Sequence, residues 1–518
     1  MPQRIHITTA IIYSNGPPHV GHALEAFATD SFARYQRRKL GRENVTFVTG
    51  TDEHGDKNLK AAVTAGLSPK AFADQISGLF RAAWKTLGVS YDFFVRTTDP
   101  VHEKLVQKML QRTFDRGEIY LKDYEGLYCV GCQIFYTQKE LLAGNICPVH
   151  NTPAELIKEK NYFLRLEKHR ERIRDHVMNT PDFIRPERYR REVLNMLAEP
   201  IEDLCISRPK ARLDWGIEMP FDHNYVTYVW YDAFWAYVSE LPDTSDAALR
   251  EVLPVSQHFI GKDILKTHAV YWPAMLIAAD LPLYRSLNVH GWMTFLGSRM
   301  SKSSGNIPDP LEYETTYGPD VLRLFLLRDV VYGLDGDFSD ERLIERYNAD
   351  LANDLGNLTS RVLAMAARYF GGEITAQPGS GNDALDRALC ETFAPGAMPA
   401  RVGAFVEELQ FNRALEAIWQ ALDAANKYIV ATSPFTLAKD PAQLPRVAQI
   451  IANLVEGLRV IADTLEPFMP ATAPKIFDLL NVDATTARAP FGAGIKPGHR
   501  VKPALPLFPR IEKAARGA

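Results

Sequence analysis

A strand–helix–strand pattern near the start of the chain limits the folds that it can adopt. The apolar runs RIHITTA (residues 4–10) and NVTFVTG (residues 44–50) each predict a strand. Between them, apolar residues recur at helical spacing, at Leu24, Ala28, Phe32 and Tyr35. Further strands are predicted at YDFFVR (91–96), QHFIGKD (257–263) and SLNVHG (286–291), with helical patterns between them. This alternation favours an α/β fold with a doubly wound parallel sheet in the first half of the chain.

The pattern changes after about residue 340, where the strand signals end. Apolar residues then step by three and four, at Leu351, Leu355, Leu358, Val362, Met365 and Tyr369 and again at Val447, Ile451, Leu454, Leu458, Ile461 and Leu465. This spacing is typical of helices that pack along an apolar stripe. We therefore expect an all-α helix bundle in the last third of the chain.

Length and composition make several classes of protein improbable. A chain of 518 residues is too long for one core, so two or three domains are expected. Its 59 basic and 63 acidic residues do not indicate a nucleic-acid binder, although balanced totals allow local basic patches. Five cysteines favour a reducing compartment over a disulfide framework. Since we find neither a membrane-length apolar run nor a signal peptide, we expect a cytoplasmic protein.

The turn after the first strand carries GPPHVGH (residues 16–22), in which His19 and His22 flank Gly21 at a predicted helix start. A helix N-terminus at the carboxyl end of a parallel sheet offers unpaired N–H groups to a phosphate. Imidazole N–H groups held there can stabilise the charge that builds on a phosphate under attack. Gly21 allows a base or ribose to lie against the backbone. Taken alone, the motif fits two ordinary surface histidines equally well.

A second motif, SRMSKSSGN (residues 298–306), follows the last predicted strand and places Arg299 and Lys302 among serines and a glycine. A mobile basic loop at a sheet edge suits a polyphosphate whose charge is neutralised during a reaction and then released. By itself the stretch is more readily interpreted as a solvated loop. Combined with GPPHVGH on one doubly wound sheet, it indicates a site for a polyphosphate.

The chain between the third and fourth of these strands has a different character and is interpreted as an insertion. It contains a C-x2-C-x14-C-x2-H pattern made by Cys129, Cys132, Cys147 and His150. Four protein ligands with no open position are typical of a structural zinc site. Four unrelated side chains are the less favoured alternative. Cys205 and Cys390 are isolated and are expected to be packing residues.

HVGH and RMSKS resemble the two signature motifs of class I aminoacyl-tRNA synthetases, and the resemblance is closest to the methionyl-tRNA synthetase family. It covers nearly the whole chain and is carried, in the family's order, by TAIIYSNGPPHVGH, TGTDEHG, ISRPKARLDWGIEMP, YVWYDAFWAY, FIGKDILKTHAVYWPAML and YGPDVLRLFLLR. The resemblance implies a Rossmann-type catalytic sheet with a zinc-knuckle insertion, followed by a helical anticodon-binding bundle. It implies ATP with Mg²⁺, L-methionine and tRNA(Met) as partners, and one structural Zn²⁺ per chain. We expect a monomer, because no dimerisation module follows LPLFPRIE.

The same resemblance implies roles for individual residues. Catalysis is assigned to His19, His22 and Lys302. ATP binding is assigned to Gly21, Asp263, Arg299, Lys302 and Ser303. Methionine binding is assigned to Ala10, Ile11, Tyr13, Asp52, Trp230, Ala233, Phe234, Tyr237, Ile264 and His268, with Asp52 facing the α-amino group. Without the resemblance, the aromatic run 228–237 would be interpreted as core packing.

Anticodon reading is expected on the bundle, where Asn357 and Arg361 lie four residues apart and Phe435 follows a Ser-Pro break. Asparagine can pair with a base edge, arginine can stack or bind phosphate, and an aromatic ring can stack on a base. The family usually has tryptophan at position 435, so we expect weaker recognition here. The alternative is that Phe435 caps the bundle core. The family also usually has lysine at position 299, where arginine keeps the charge.

The resemblance divides the chain into a first catalytic half (1–115), an insertion (116–225, with the knuckle at about 125–155), a second catalytic half (226–292), a loop and stem-contact region (293–345) and an anticodon-binding domain (346–518). The insertion is too short for the editing domain of the valyl, isoleucyl and leucyl relatives. TTAIIYSNG lacks the cysteine with which the cysteinyl relative holds its zinc. These two absences favour methionine as the substrate.

Two other classes of function remain open at this point. A small nucleotidylyltransferase also uses an HxGH turn, but it would not need the helix bundle. A non-catalytic tRNA-binding relative should have lost His19, His22 or Lys302, and all three are present.

Overall fold

The computed structural model describes residues 4–130, 134–136, 138–149, 151–299, 307–381 and 383–512. The chain divides into two compact units. The first comprises Met1–Pro18 and Gln36–Gly291, and the second comprises His19–Tyr35 and Trp292–Ala518. In the residues that are described, no helix is both long enough and apolar enough to cross a membrane.

The first unit is an α/β structure. Its described strands are β1 (Ile5–Thr9), β2 (Ile12–Tyr13), β3 (Val45–Asp52), β4 (Phe93–Arg96), β5 (Ile119–Cys129), β6 (Ile134–Tyr136), β7 (Glu155–Leu164), β8 (Ile184–Arg185), β9 (Leu204–Cys205), β10 (Ser207–Pro209), β11 (Glu218–Met219), β12 (Asp222–Thr227), β13 (Ser256–Gly261) and β14 (Ser286–His290). Its helices are α2 (Asp56–Ala65), α3 (Pro69–Thr86), α4 (Pro100–Asp115), α5 (Arg170–Asn179), α6 (Glu187–Met196), α7 (Val229–Ala233), α8 (Ala236–Ser239), α9 (Asp246–Val252) and α10 (Trp272–Ala278). They follow α1 (Val20–Leu40), which contains residues of both units.

The main sheet of this unit is entirely parallel. Its strand order is β2-β3-β1-β13-β14-β8, with β4 also paired to β3. Strand β1 is central, and the chain passes from it to β3 on one side and later to β13 on the other. Such a reversal of strand order opens a crevice beyond the carboxyl ends of β1 and β13, which is where ligands bind in doubly wound sheets.

The predicted Rossmann-type parallel sheet is confirmed, and the strands predicted from apolar runs match β1, β3, β4, β13 and β14. The two-residue strands β2 and β8 were not predicted, because so short a segment carries no periodicity. Strand β8 pairs with β14 although it comes from residues assigned to the insertion. The long antiparallel pairing of β5 with β7, which forms a four-stranded sheet with β6 and β9, was also not predicted. The first half of β7 is exposed or half-buried on both faces, so alternation is weak there.

Strand β3 approaches β4 closely just before its carboxyl end. A Cβ on Gly50 would lie 2.1 Å from the backbone oxygen of Val95. Only glycine therefore allows the pairing that continues from Thr51 to Arg96. This close approach fixes the start of the turn that carries Asp52.

The second unit is mostly helical. Its described helices are α11 (Pro310–Tyr317), α12 (Val321–Asp329), α13 (Asp340–Arg346), α14 (Asn357–Phe370), α15 (Ala384–Phe393), α16 (Met398–Glu407), α17 (Phe411–Thr432), α18 (Pro434–Leu437), α19 (Leu444–Leu465), α20 (Thr472–Leu480) and α21 (Ala484–Ala487). Its short strands are β15 (Met293–Phe295), β16 (Ser298–Arg299), β17 (Gly336–Phe338), β18 (Glu373–Ile374) and β19 (His499–Arg500).

The predicted helix bundle is confirmed. Helix α17 packs against α12, α15, α16 and α19. The apolar stripe from Val447 to Leu465 lies in the buried face of α19. The first stripe is divided between α14 and a preceding segment with π-type hydrogen bonding, Tyr347–Gly356.

Candidate active site

The start of α1 carries His19 and His22 in a reciprocal arrangement. The backbone N–H of each residue donates to Nδ1 of the other, over 3.3 Å and 3.4 Å. Their rings stack with centroids 3.6 Å apart. This is the geometry of a capping box, in which two side chains satisfy N–H groups at a helix N-terminus. Because both Nδ1 atoms accept hydrogen bonds, each neutral ring carries its proton on Nε2 and can donate it.

The end of the segment that contains Lys302 lies beside this helix start. Residues 300–306 are outside the described part of the chain, so Lys302 and Ser303 are not placed. The segment follows β16, which ends at Arg299 and pairs with β15. After it, the oxygen of Pro308 accepts a hydrogen bond of 3.2 Å from the backbone N–H of Val20. The described ends of the loop and the HVGH turn therefore belong to the same unit.

Separately, in the first unit, several predicted residues line the carboxyl ends of β1 and β13. The Ala10 N–H donates to the oxygen of Phe259 over 2.9 Å, which continues the pairing of the two strands. Asp263 is exposed just beyond β13, and its Oδ1 lies 2.6 Å from where a Cβ on Gly261 would be. Gly261 thus leaves the room that the Asp263 carboxylate occupies at the crevice.

Asp52 ends β3 and is buried, with 2% of its surface exposed. Its Oδ1 has no hydrogen-bond partner among the described residues. Burial, followed by the nearby carboxylates of Asp232 and Glu53, raises the pKa of Asp52 well above its ordinary value. A buried carboxylate oxygen without a partner fits a cationic ligand such as an ammonium group.

The turn that carries Asp52 is held in place from several directions. Asn58 Nδ2 donates to the backbone oxygens of Asp52 and His54, over 3.0 Å and 3.1 Å. The backbone N–H of Ser14 donates to the same backbone oxygen of Asp52 over 2.9 Å. The indole N–H of Trp215 donates to the oxygen of Glu53 over 2.6 Å. These bonds restrict the position of the Asp52 carboxylate.

The aromatic run 228–237 meets the turn after β13 around His268. The ring of Phe234 meets the His268 ring edge-on at 4.9 Å, and that of Trp230 does so at 6.3 Å. Tyr237 Oη lies 2.6 Å from His268 Nε2, and His268 Nδ1 lies 2.9 Å from the oxygen of Ile264. Burial lowers the pKa of His268 to about 4, so the ring is neutral. Its Nδ1–H then donates a hydrogen bond to the backbone oxygen of Ile264, and its Nε2 accepts a hydrogen bond from the Tyr237 hydroxyl.

The other predicted methionine-binding residues lie around the same core. Half-buried apolar residues that pack against it include Ile11, Tyr13, Trp230 and Ile264. Ala10 and Ala233 are buried. The indole N–H of Trp230 has no acceptor among the described residues. Part of the aromatic run 228–237 therefore belongs to the buried core, and part of it is half-exposed, as a slot for a ligand requires.

A set of buried ionisable residues near Asp52 was not predicted from the sequence. His54 Nδ1 and His102 Nε2 each lie 2.6 Å from a different oxygen of the buried Asp232 carboxylate. Glu53, also buried, is paired with both Nε and Nη2 of Arg96, at 2.7 Å and 2.8 Å. The available signal was the presence of Glu53 and His54 in TGTDEHG, directly after an apolar strand, and of Asp232 inside the aromatic stretch YVWYDAFWAY.

The predicted zinc ligands are only partly placed. Cys129 and Cys147 are both fully buried thiols, and Cys147 Sγ lies 3.9 Å from Tyr136 Oη. Cys132 and His150 lie outside the described residues. Within the described ranges, no three His, Cys, Asp or Glu side chains are grouped to hold a metal. The two buried thiols are suitable zinc donors. Because the other two ligands are not described, the zinc knuckle remains a prediction.

The predicted anticodon residues lie on two helices of the second unit, α14 and α18. Asn357 is exposed at the start of α14, and Arg361 one turn later donates to Asn426 Oδ1 on α17 over 3.4 Å. Phe435 lies in α18 with 43% of its surface exposed, which does not fit a core cap. Ser433 has a φ of 48° and turns the chain between α17 and α18. Asn426 was not predicted.

A doubly wound parallel sheet and HVGH at a helix start, together with the sequence RMSKS, define the class I tRNA synthetases. Residues 5–155 and 139–363 match the family model described as tRNA synthetases class I (M). The methionine--tRNA ligase of Caldanaerobacter subterraneus is 42% identical, over 99% of this chain and 80% of the relative. That of Deinococcus radiodurans is 43% identical, over 98% of this chain and 75% of the relative.

A solved structure gives the same result. The structure of Mycobacterium tuberculosis methionyl-tRNA synthetase in complex with methionyl-adenylate has a TM-score of 0.93 and 38% sequence identity. The match covers 98% of this chain and 100% of that one. The chain therefore belongs to the methionyl family of class I tRNA synthetases.

Proposed function

We propose that this chain is an ATP-dependent methionine–tRNA ligase that forms methionyl-adenylate and transfers the methionyl group to the 3′ end of tRNA(Met). The observation that carries the proposal is the buried Asp52 oxygen, which has no partner within the described ranges, in a unit that also holds the Trp230–Phe234–His268 aromatic group. An ammonium site near an apolar aromatic slot suits a long thioether amino acid.

Pyrophosphate exchange measured with each of the twenty amino acids tests this function. We expect exchange with L-methionine and only weak exchange with the other amino acids. Exchange that depends on another amino acid, or no exchange with any, would contradict the proposal. Charging of tRNA(Met) with labelled methionine tests the second step.

In the mechanism that we propose, the methionine carboxylate attacks the α-phosphorus of ATP and pyrophosphate leaves. Nε2–H groups of His19 and His22 donate to phosphate oxygens at the N-terminus of α1, and Lys302 neutralises charge from the loop. Gly21, Asp263, Arg299 and Ser303 hold the nucleotide, and Mg²⁺ bound with ATP supplies further charge neutralisation. The terminal tRNA hydroxyl then attacks the adenylate carbonyl and AMP leaves. Catalysis depends on position and electrostatics and needs no protein nucleophile.

Methionine recognition divides between charge and shape. Asp52 binds the α-amino group, and Ala10, Ile11, Tyr13, Trp230, Ala233, Phe234, Tyr237, Ile264 and His268 surround the side chain. Since the Tyr237 hydroxyl donates a hydrogen bond to His268, its oxygen can only accept a hydrogen bond from a further neighbour. The slot therefore selects methionine mainly by apolar contact and length.

The five-part division given above, a monomeric state and a cytoplasmic location remain part of the proposal. The connective region 116–225 and the region 293–345 would guide the acceptor end of the tRNA. The bundle 346–518 would read the anticodon.

We expect the purified protein to hold about one zinc per chain at Cys129, Cys132, Cys147 and His150. Cys147→Ser should lose the metal, because it removes one of four thiolate or imidazole ligands. Its loss should disturb the insertion and tRNA charging more than methionine binding, since the site is structural. Metal analysis of the variant checks this, and Cys390→Ser, a half-buried cysteine of α15, should keep its zinc.

An absence of zinc from the purified protein would contradict this assignment. So would a chelator that abolishes methionine binding at once while the fold stays intact.

We expect Phe435→Ala and Arg361→Ala each to lower tRNA charging by about tenfold, because each removes stacking or pairing with an anticodon base. Methionine-dependent pyrophosphate exchange should stay near normal, since it needs no tRNA. Arg368→Ala is the matched control, because Arg368 is exposed on the same helix two turns further on. If both reactions fall together, or neither changes, the anticodon is read elsewhere on the bundle.

A further inference from the structure

A fully buried carboxylate, that of Asp232, lies between two imidazoles and close to Asp52, the proposed ammonium site. Asp232 has no exposed surface, and its two oxygens lie 2.6 Å from His54 Nδ1 and 2.6 Å from His102 Nε2. His102 Nδ1 continues the chain of bonds to Ser239 Oγ over 3.1 Å. His54 follows Asp52 by two residues, in the turn held by Asn58.

Two buried carboxylates close together cannot both stay ionised unless a cation compensates one of them. Asp232 stands close enough to Asp52 to raise its pKa. Burial alone would raise the pKa of Asp232, but His54 and then His102 bring it below the ordinary value. Burial lowers the pKa of His54, yet the Asp232 carboxylate outweighs this and raises it. At 2.6 Å, a charge on the His54 imidazolium and the charge on the Asp232 carboxylate therefore stabilise each other.

We propose that His54 is a positioning residue, which compensates Asp232 and thereby keeps the neighbouring Asp52 carboxylate ionised for the ammonium group of the substrate. This inference rests on the proposed function and adds a residue to the amino-acid site. None of the residues assigned to the methionine slot is a lysine or an arginine.

Other charged groups also face this cluster. Glu53 lies on the same turn and is neutralised by Arg96, at 2.7 Å and 2.8 Å, with Thr51 and Thr98 also donating to it. Glu103, on α4, is half-buried and faces His54, Asp232 and His102, and its pKa is raised by burial. In this inference the compensation of Asp232 therefore comes from His54, while His102 Nε2 forms a hydrogen bond with the other oxygen of the carboxylate.

The methionine KM should depend on pH through the ionisation of Asp52. Methionine binding needs ionised Asp52, so the methionine KM rises as the pH falls through the pKa of Asp52. Removing His54 leaves Asp232 with His102 alone, which raises the pKa of Asp52 further. The pH at which KM begins to rise should therefore move upward in His54→Gln.

The test measures the methionine KM and kcat in pyrophosphate exchange from pH 6 to 9. For His54→Gln we expect a KM about tenfold higher at pH 7, with kcat at saturating methionine close to normal. The double variant His54→Gln/Asp232→Asn removes both charges of the ion pair and should return the pH profile toward that of the unmodified protein. A merely structural role of His54 predicts no such recovery, because the double variant is the more disrupted one.

Two ligands separate the ammonium site from the rest of the slot. L-methioninol keeps the amino group and 4-(methylthio)butanoate lacks it, and both are measured as competitors of methionine. His54→Gln should weaken methioninol about tenfold and leave 4-(methylthio)butanoate unchanged. His169→Gln is the matched control, since His169 is also buried against a carboxylate, Glu118, at 3.2 Å. It should leave the KM profile unmoved.

The outcomes are distinct. If the unmodified protein shows no methionine-dependent exchange, the proposed function fails. If it does exchange but His54→Gln loses both competitors equally, or the double variant shows no recovery, the inference is wrong. Should His54→Gln not fold, ¹⁵N NMR of the unmodified protein decides, because the inference requires both ring nitrogens of His54 to be protonated at pH 7. A neutral His54 at that pH would overturn it.

Discussion

His22→Ala and Lys302→Ala should each lower the rate of methionine-dependent pyrophosphate exchange by about a hundredfold or more, while methionine binding barely changes. Each variant removes a donor that meets the phosphates most strongly when charge builds on them, and such losses cost about this much in kcat. His22 holds its proton on Nε2 because its Nδ1 accepts the backbone N–H of His19. Exchange kinetics with varied methionine and ATP separate the rate from binding.

Equal losses in rate and in ATP binding would mean that these residues hold only the ground state. A variant of either with a near-normal exchange rate would defeat the mechanism. His223→Ala is the matched control for His22, because His223 is a largely exposed histidine that pairs with Glu218. It should exchange at the normal rate.

Asp52→Asn should raise the methionine KM by about a hundredfold. Asparagine keeps the shape of the side chain but loses the charge that pairs with the α-amino group, and removing one partner of a buried charge pair costs about 2–5 kcal/mol. The effect should depend on the substrate's amino group, because the aromatic slot is untouched. Competition by 4-(methylthio)butanoate, which lacks that group, should therefore be unchanged.

Exchange kinetics and competition assays measure both quantities. If Asp52→Asn weakens the deaminated ligand as much as methionine, Asp52 acts on the fold of the turn rather than on the ammonium group. An unchanged methionine KM would place the amino-acid site elsewhere.

The strands and helices that carry the residues assigned to methionine and phosphate were predictable in part because they are contiguous stretches with a recognisable pattern. Alternating apolar runs indicated β1, β3, β4, β13 and β14, and helical stripes indicated the bundle. Local spacing carries this information, since side-chain periodicity reflects which face of an element is buried. The HVGH and RMSKS motifs likewise consist of neighbours in the chain.

The elements that escaped prediction lack such local patterns. Strands β2 and β8 are two residues long, and only their pairing with β3 and β14 makes them strands. Strands β5 and β7 pair over nearly their full length, but both contain many charged residues and the first half of β7 is largely exposed, so neither shows a clear apolar pattern. Their hydrogen-bond partners, rather than their sequence, decide their structure.

By itself, the sequence determined which residue types stand at the strand ends and helix starts, and hence the class of chemistry. Only the tertiary structure decided how Asp52, His54, His102 and Asp232, from distant parts of the chain, share one buried cluster. It likewise decided that the protons of His19 and His22 lie on Nε2. The physical reason is that burial, charge compensation and proton placement depend on neighbours in space, and spacing along the chain does not specify those neighbours.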